Sequence, residues 1–407
     1  MRGNRRDVLR SLGAGVAFMA MPAVVRAQGA DVIRVGALNP ITGSGSPYGS
    51  GMQKMILAAA EAVNAAGGAG ERKIEIIAED SQTSPQAAVL AAKKLIEINK
   101  VSAILGTWSS GVSLAVAPFA ENADVLLMHT SGAPALSTMK VNGKGLFFRF
   151  HANNERSGAA FAELCKRRKF TRPATMAFNN ASGIGNVDGF RKAWEAGGGK
   201  VVESVIYEPN QPSYRSELQK ILAANPDVIV TGSYLADTMI ILREWFQTGQ
   251  PVAWAIPGWA VTPELIRAIG PTAAEGIMSV DAISNEDDPA FKTFDAIYQK
   301  AMGTSGRSNV YAAECWDMVN CLALAIEAAG GPVNADMLKA KIREVANPPG
   351  QQVASFAEGK AALKKGKINY EGASSALDFD ATGDVTPTFG AWSVESGKLV
   401  MKYKFQA

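Results

Sequence analysis

Residues 101–132, VSAILGTWSSGVSLAVAPFAENADVLLMHTSG, carry the pattern that decides the fold. A short apolar run at 101–105 gives way to Gly106-Thr107-Trp108-Ser109-Ser110-Gly111. A helical pattern follows at 112–122, and a second apolar run at 125–128 ends in His129-Thr130-Ser131-Gly132. Runs this short and this apolar are strands of a parallel sheet covered on both faces by helices, joined by right-handed crossovers. In such sheets ligands lie outside the carboxyl ends of the strands, where loops and helix N-termini converge. Both loops of this stretch are therefore candidate binding loops.

The same alternation continues in both directions. Upstream, the sequence predicts a strand at 32–37, a Gly/Ser/Pro loop at 39–50 and an alanine-rich helix at 52–66 stopped by Gly67-Gly68. A strand at 73–78 and a helix at 85–99, with Pro85 in its first turn, follow. Downstream, helices at 154–168, 187–196, 214–224, 237–248 and 263–269 alternate with strands at 174–178, 201–207, 227–231 and 252–256. We place a crossing into a second sheet at 147–153 and a return near 280–285, after which helices at 289–301 and 309–329 rejoin the first lobe. Strands at 377–379 and 389–394 read as antiparallel edges.

Bulk properties agree with two lobes. A chain of 407 residues exceeds one ordinary core and favours two units of roughly 150–200 residues. With 47% hydrophobic and 19% charged residues, disorder is excluded. At the start, Arg2, Arg5, Arg6 and Arg10 precede the apolar run 12–25 and then Val25-Arg26-Ala27, the pattern of an export signal cleaved after Ala27. That run has 14 residues, short of the roughly 20 of a spanning helix, so the mature chain is expected to be soluble. Asn4-Arg5-Arg6-Asp7-Val8-Leu9-Arg10 resembles the twin-arginine signal; the plainer alternative, an ordinary secretory signal with adjacent arginines, leads to the same side of the membrane.

Residues 1–27 hold five Arg and one Asp, a net +4, so the formal +3 of the whole chain leaves −1 for the remainder. No basic footprint for nucleic acid remains. Cys315 and Cys321, six apart on one helix, stand about 9 Å apart along its axis on different faces and cannot pair. With Cys165 in another helix, all three are expected to be buried thiols.

Several segments resemble the type I periplasmic solute-binding proteins of the branched-chain amino acid (Leu/Ile/Val) ABC transporter family. GALNPITGSGSPYGSGM (36–52) with NAAGG (64–68) resembles that family's first loop and helix; AILGTWSSGVSLAVAPFAENADVLLMHTSGAPAL (103–136) resembles its second and third ligand loops. NNASGIGNVDGF (179–190), PDVIVTGSYLADTMIILREW (226–245), DDPAFKTFDAIYQKAMG (287–303) and INYEGASSALDFDATGDV (368–385) continue in order. The likeness covers essentially all of 31–400. It implies an α/β fold of two Rossmann-like doubly wound lobes joined by a three-crossing hinge, the third crossing falling in 348–367. Lobe 1 would comprise 31–148 and 285–350, lobe 2 149–284 and 351–407. It further implies a periplasmic, monomeric carrier that closes on a small solute and hands it to an ABC permease, with no cofactor, no metal and no catalysis.

Site residues follow loop by loop. Ser109 or Ser110, at a helix start after a strand, can hold a carboxylate with free backbone N–H groups and hydroxyls beside Trp108; the plainer role is an N-cap. Ser131 and Gly132 occupy the matching places of the family's next ligand loop, where Gly132 lacks the hydroxyl and the neighbouring Thr130 is the candidate to supply one. Tyr48 matches a first-loop tyrosine that packs on the solute. From the second lobe come Ile184, Tyr234 and Trp259. Ile184 stands where amino-acid binders carry a tyrosine, and Trp259 where they carry the carboxylate that pairs with the ammonium. An unpaired buried ammonium costs several kcal/mol, so an amino acid would need Asp237 or Asp281 instead. The expected solute is a carboxylate with a hydrophobic or aromatic body; branched-chain or other apolar amino acids are the alternative, and a ligand-sensing module of the same fold is a third reading.

An enzyme is disfavoured by the motifs. No G-x-S-x-G elbow and no H-E-x-x-H occur, and His129 and His151 are the two histidines. Gly183, Gly185 and Gly189 of GIGNVDG miss the dinucleotide spacing and read as a tight strand-to-helix turn.

Overall fold

The computed structural model describes residues 32–406. The expected export signal and its cleavage point lie outside the described residues. Five parallel strands, β1 (Ile33–Asn39), β2 (Ile74–Asp80), β3 (Ala103–Gly106), β4 (Leu126–His129) and β5 (Phe147–Arg149), form one sheet in the order β2-β1-β3-β4-β5. Strands β6 (Pro173–Phe178), β7 (Ser204–Tyr207), β8 (Val228–Gly232), β9 (Ala253–Pro257) and β10 (Met278–Ala282) form the parallel part of a second. The short parallel pair β11 (Gln351–Val353) and β12 (Ile368–Tyr370) stands apart, and β13 (Phe389–Glu395) and β14 (Lys398–Phe405) extend the second sheet as antiparallel edges beside β10.

The second sheet reads β7-β6-β8-β9-β10 from its far edge, the same doubly wound order as the first. Each lobe therefore has one switch point, between β1 and β3 and between β6 and β8, where the connections leave in opposite directions and open a crevice. Local chemistry fixes the helix starts around these crevices. Pro47 stands in the first turn of helix Ser46–Ala65, and Asn153 accepts from the Arg156 N–H at the start of helix Asn154–Arg167. The Asn180 side chain accepts from the N–H groups of Ser182 and Gly183 and starts helix Ala181–Ala196.

Three differences from expectation have physical causes. The helix after β6 begins at Ala181, not 187, because its glycines serve close packing: a Cβ at Gly183 would press on the carbonyls of Phe178 and Gly232. Residues 348–367 do not cross between lobes; helix Phe356–Leu363 packs beside helix Val310–Ala329 of the first lobe and carries β11 and β12 with it, so 351–370 stay there. The third crossing lies between β12 and β13, and 377–379 within it form no strand. The antiparallel partner is instead β14, reached through a two-residue turn at Ser396-Gly397, both at positive φ.

The third crossing is anchored twice. Asp317 accepts from Tyr370 Oη and from the N–H groups of Ala373 and Ser374, at 2.7–2.9 Å, and from Ser374 Oγ at 2.6 Å. Further along, Asp384 pairs with the fully buried Arg149 of β5, Nε to Oδ1 2.9 Å. The same guanidinium donates to the carbonyls of Ser131 and Ala133, fixing the loop after β4. Replacing Arg149 with Met leaves Asp384 buried without its cation, and urea unfolding is expected to show a loss of about 3–5 kcal/mol. Adding Asp384→Leu should restore a large part of it; an Arg149→Met midpoint equal to wild type would remove the pair from the hinge.

Candidate ligand-binding cleft

The two switch points face each other, and aromatic side chains from both lobes meet between them. Trp108, after β3, stacks on Tyr234, after β8, with centroids 5.1 Å apart and planes 30° apart. Tyr48, after β1, lies 5.7 Å from Trp108, and Tyr311 stands edge-on to Tyr48 and Trp108 at 5.1 and 5.8 Å. Tyr48 Oη donates to the Trp259 carbonyl at 2.9 Å, bridging the lobes, while the Trp259 indole donates to the Ser233 carbonyl at 3.0 Å. Burial holds the hydroxyls of Tyr48, Tyr234 and Tyr311 above the usual phenol range, so each stays a protonated donor.

Inside this box is a cavity of about 20 Å³. Of the residues expected from sequence, Trp108, Thr130, Gly132, Tyr234 and Trp259 border it. Ser109 begins helix Ser110–Asn122 but its side chain makes no cap; it accepts instead from Tyr234 Oη at 3.3 Å across the cleft. Ser110 Oγ and Thr130 Oγ1 are buried and find no hydrogen-bond partner among the described residues.

Five expected residues do not border the cavity: Tyr48, Ser109 and Ser110, and two whose local structure turns them elsewhere, Ser131 and Ile184. Ser131 turns its hydroxyl to His129 Nδ1 at 3.0 Å and its carbonyl to Arg149. Burial and the Arg149 charge hold His129 well below the usual imidazole range, hence neutral. Ile184 lies inside the helix that begins at Ala181, and Ser182 of its first turn borders the cavity instead. Gly132 is there for space, since a Cβ would collide with the Asn154 side-chain oxygen. Asp237 is committed within the second lobe, accepting from Tyr214 Oη at 2.7 Å and Asn210 N at 3.0 Å.

Sequence reasoning missed His151, Asn154, Ser182 and Tyr311 at this cavity. His151 and Asn154 flank the first crossing and had a signal, as polar residues directly after a β-strand; Tyr311 had none beyond its place in a helical run. His151 is buried between acids of two other segments. Its Nδ1 is 2.6 Å from Glu314 Oε1, and its Nε2 is 3.4 Å from Asp281 Oδ1 of the second crossing. Burial opposes its charge, yet Glu314 and Asp281 together push it up to about 10. Burial likewise raises Glu314 to about 7 against the pull of His151.

Twin lobes of one winding, linked by three crossings and meeting over a small polar cavity with aromatic walls, define a two-lobed solute-binding protein. The chain belongs to the periplasmic binding protein family, whose pattern matches residues 32–380. It is 25% identical over 390 residues to the Leu/Ile/Val-binding protein homolog 3 of Brucella melitensis biotype 1, covering 95% of this chain and 98% of the relative. A leucine-binding protein from Thermotoga maritima MSB8 shares the fold at a TM-score of 0.79 and 23% identity, over 92% of this chain and 99% of that one. A solute-binding protein of an R. palustris ABC transporter, solved with benzoate, does so at 0.74 and 22%, over 91% and 95%. No helix among the described residues is long and apolar enough to cross a membrane.

The His151–Glu314 pair gives stability a sign with pH. His151 rises from 6.5 to about 10 on folding, so its contribution is complete below about pH 6.5 and is lost as pH climbs through 10. Glu314 rises from 4.5 to about 7, so the penalty for ionising it in the folded state grows from pH 4.5 to 7. Both make the folded state hold more protons, and the pair's contribution declines from acid to alkaline pH. The melting temperature of wild type minus that of the His151→Gln/Glu314→Gln variant is expected to fall between pH 5 and 9. A difference that stays constant with pH would contradict the charged pair.

Proposed function

We propose that this protein is the extracytoplasmic solute-binding component of an ABC importer. It takes a small carboxylate with a hydrophobic or aromatic body into the interlobe cleft and delivers it to the membrane permease, without altering it chemically. The observation that carries this reading is the partnerless buried hydroxyl of Thr130 at the edge of a cavity boxed by aromatic rings of both lobes, with Ser110, likewise without a partner among the described residues, in the first turn of the helix after Trp108. Each such hydroxyl costs roughly 1–3 kcal/mol in the unliganded state, an expense a carboxylate oxygen would offset. The His151 cation at the cavity edge and the N-terminus of the 13-residue helix Ser110–Asn122, which follows Trp108, both favour an anion. Ring faces of Trp108, Tyr234 and Trp259 suit an apolar or aromatic body.

The opposite wall argues against an α-amino acid. Trp259 stands where an ammonium partner would be, Asp237 is committed elsewhere, and Asp281 already neighbours His151. The amino-acid reading is favoured by the names of the relatives, Leu/Ile/Val-binding proteins among them, whereas the benzoate bound to the R. palustris protein favours the aromatic acid. Closure follows from geometry: the first lobe holds the carboxylate, and the second swings over it to complete the box, so the loaded form is the closed one a permease can recognise.

A thermal-shift screen tests the solute class. Benzoate and hydroxybenzoates should stabilise the mature protein, by about 2.7 kcal/mol at a hundredfold excess over Kd. Branched-chain amino acids that stabilise it while aromatic acids do not would overturn the reading. Ser110→Ala should weaken benzoate about tenfold without lowering the unliganded melting temperature, because the hydroxyl it removes has no partner in the fold. Recovery of a permease, and not a sensor kinase, on the loaded protein in a membrane pull-down separates import from sensing.

A further inference from the structure

A chamber of about 400 Å³ lies beside the aromatic box, on the far side of Tyr48 and Tyr311, whose buried rings close the wall between the two. Its size falls within the roughly 300–1,000 Å³ of small-molecule pockets. Both lobes build it at the second crossing. Tyr48 and Tyr311 come from the first lobe, and Ser279 and Asp281 of β10 with Trp392 of β13 from the second.

The lining is mixed, and most of its polar groups are already engaged within the fold. Ser305 Oγ donates to Asp295 Oδ1, Ser308 Oγ donates to the Ser305 carbonyl, and Thr262 Oγ1 accepts from the Leu265 N–H. Arg307 and Glu286 pair with each other at 3.4 Å. Two groups of β10 are not used up. Ser279 is fully buried, and its Oγ finds no hydrogen-bond partner among the described residues. Asp281, two residues on and so on the same face of the strand, accepts from the Ala282 N–H at Oδ1, 2.8 Å, and the same oxygen lies 3.4 Å from His151 Nε2. Its Oδ2 accepts no hydrogen bond among the described residues, and the side chain keeps 13% of its surface accessible. Gly258, which also borders the chamber, holds the space beside that oxygen open, since a Cβ there would stand 2.5 Å from it. His151 is held closer to Glu314, at 2.6 Å, so Asp281 is the less closely paired of its two acids.

A free carboxylate oxygen beside an unpaired buried hydroxyl selects a ligand that brings both positive charge and several donors. A neutral alcohol has one O–H to give, whereas an ammonium has three N–H groups and satisfies both oxygens at once. An anion is disfavoured, because Arg307, the one cation among the lining residues, is 62% exposed and already paired. We propose that this chamber is a second binding site, for a small primary organic ammonium with an apolar body. The ammonium donates to Asp281 Oδ2 and Ser279 Oγ, and the body lies against Val261, Ile283, Val310 and Leu399. The aromatic rings of Tyr48, Tyr311 and Trp392 at the walls favour the cation further. With Tyr48 and Tyr311 closing the wall, its occupant is a different molecule from the solute of the aromatic box, and the site stands whether or not that solute is a carboxylate.

Calorimetry on the mature protein with 3-methylbutylamine and its neutral counterpart 3-methylbutan-1-ol tests it. The amine should bind about tenfold more tightly than the alcohol, the worth of one charge-assisted hydrogen bond. Asp281→Asn should bring the amine down to the level of the alcohol. Ser279→Ala removes a hydroxyl that no partner in the fold uses, so it should weaken the amine about fivefold at an unchanged melting temperature. Leu399→Trp narrows the chamber from an edge strand and should weaken both ligands, so the result does not depend on how well the Asp281 variant folds. Equal binding of amine and alcohol, or an amine indifferent to both Ser279→Ala and Leu399→Trp, overturns the second site. No acid enters these titrations, so that outcome leaves the carboxylate reading standing.

Discussion

Each passage of the chain between the two sheets carries a charge out of water, and each such charge is compensated by a residue from a different segment. The first crossing brings His151, the second Asp281 and the third Asp384. His151 lies between Asp281 and Glu314 of the first lobe, and Asp384 is held by Arg149 at the end of β5. A buried ion without its partner costs several kcal/mol, so these groups must keep their company whatever the lobes do. That requirement fixes where the crossings run relative to one another.

The same clamps build the site. Arg149 does not touch the cavity, yet it fixes the carbonyls of Ser131 and Ala133 and so positions Thr130 and Gly132 on its edge. His151 serves twice, as the counter-ion of two acids and as a cavity wall. Placing a cation there without an adjacent acid would make a stronger anion site, but the flanking carboxylates temper it. On the proposed reading, a carboxylate would meet neutral hydroxyls, a helix N-terminus and one partly neutralised imidazolium, an arrangement suited to capture and release.

The two-lobed α/β fold was legible in the alternation of short apolar runs with helices, because each lobe repeats one local grammar. Where the reading failed, a residue had two local meanings. Gly183, Gly185 and Gly189 look like a turn but lie inside a helix, spaced for contact with Asn154, Phe178 and Gly232, while the Asn180 cap that starts the helix was overlooked. Ser396-Gly397 was a readable hairpin turn, passed over in favour of 377–379. The loops that feed the cavity were found because they follow strand ends. Glu314 and Tyr311 were not, since their roles depend on partners more than 160 residues away that no local pattern encodes, and His151, though placed just after a strand, gave no sign of the acids it meets.

Closure of the cleft is governed by weak, neutral contacts. Two hydrogen bonds span it in the box, Tyr48 to the Trp259 carbonyl and Tyr234 to Ser109, together with the stacked pair Trp108 and Tyr234. Each is worth about 1 kcal/mol net, so these contacts by themselves hold the two lobes together only weakly. A ligand shifts such an equilibrium by its differential affinity alone, so on the proposed reading groups of both lobes must act on one molecule. A solute that engaged only Ser110 and Thr130 would bind without closing the protein. One that also meets the second lobe draws the lobes together.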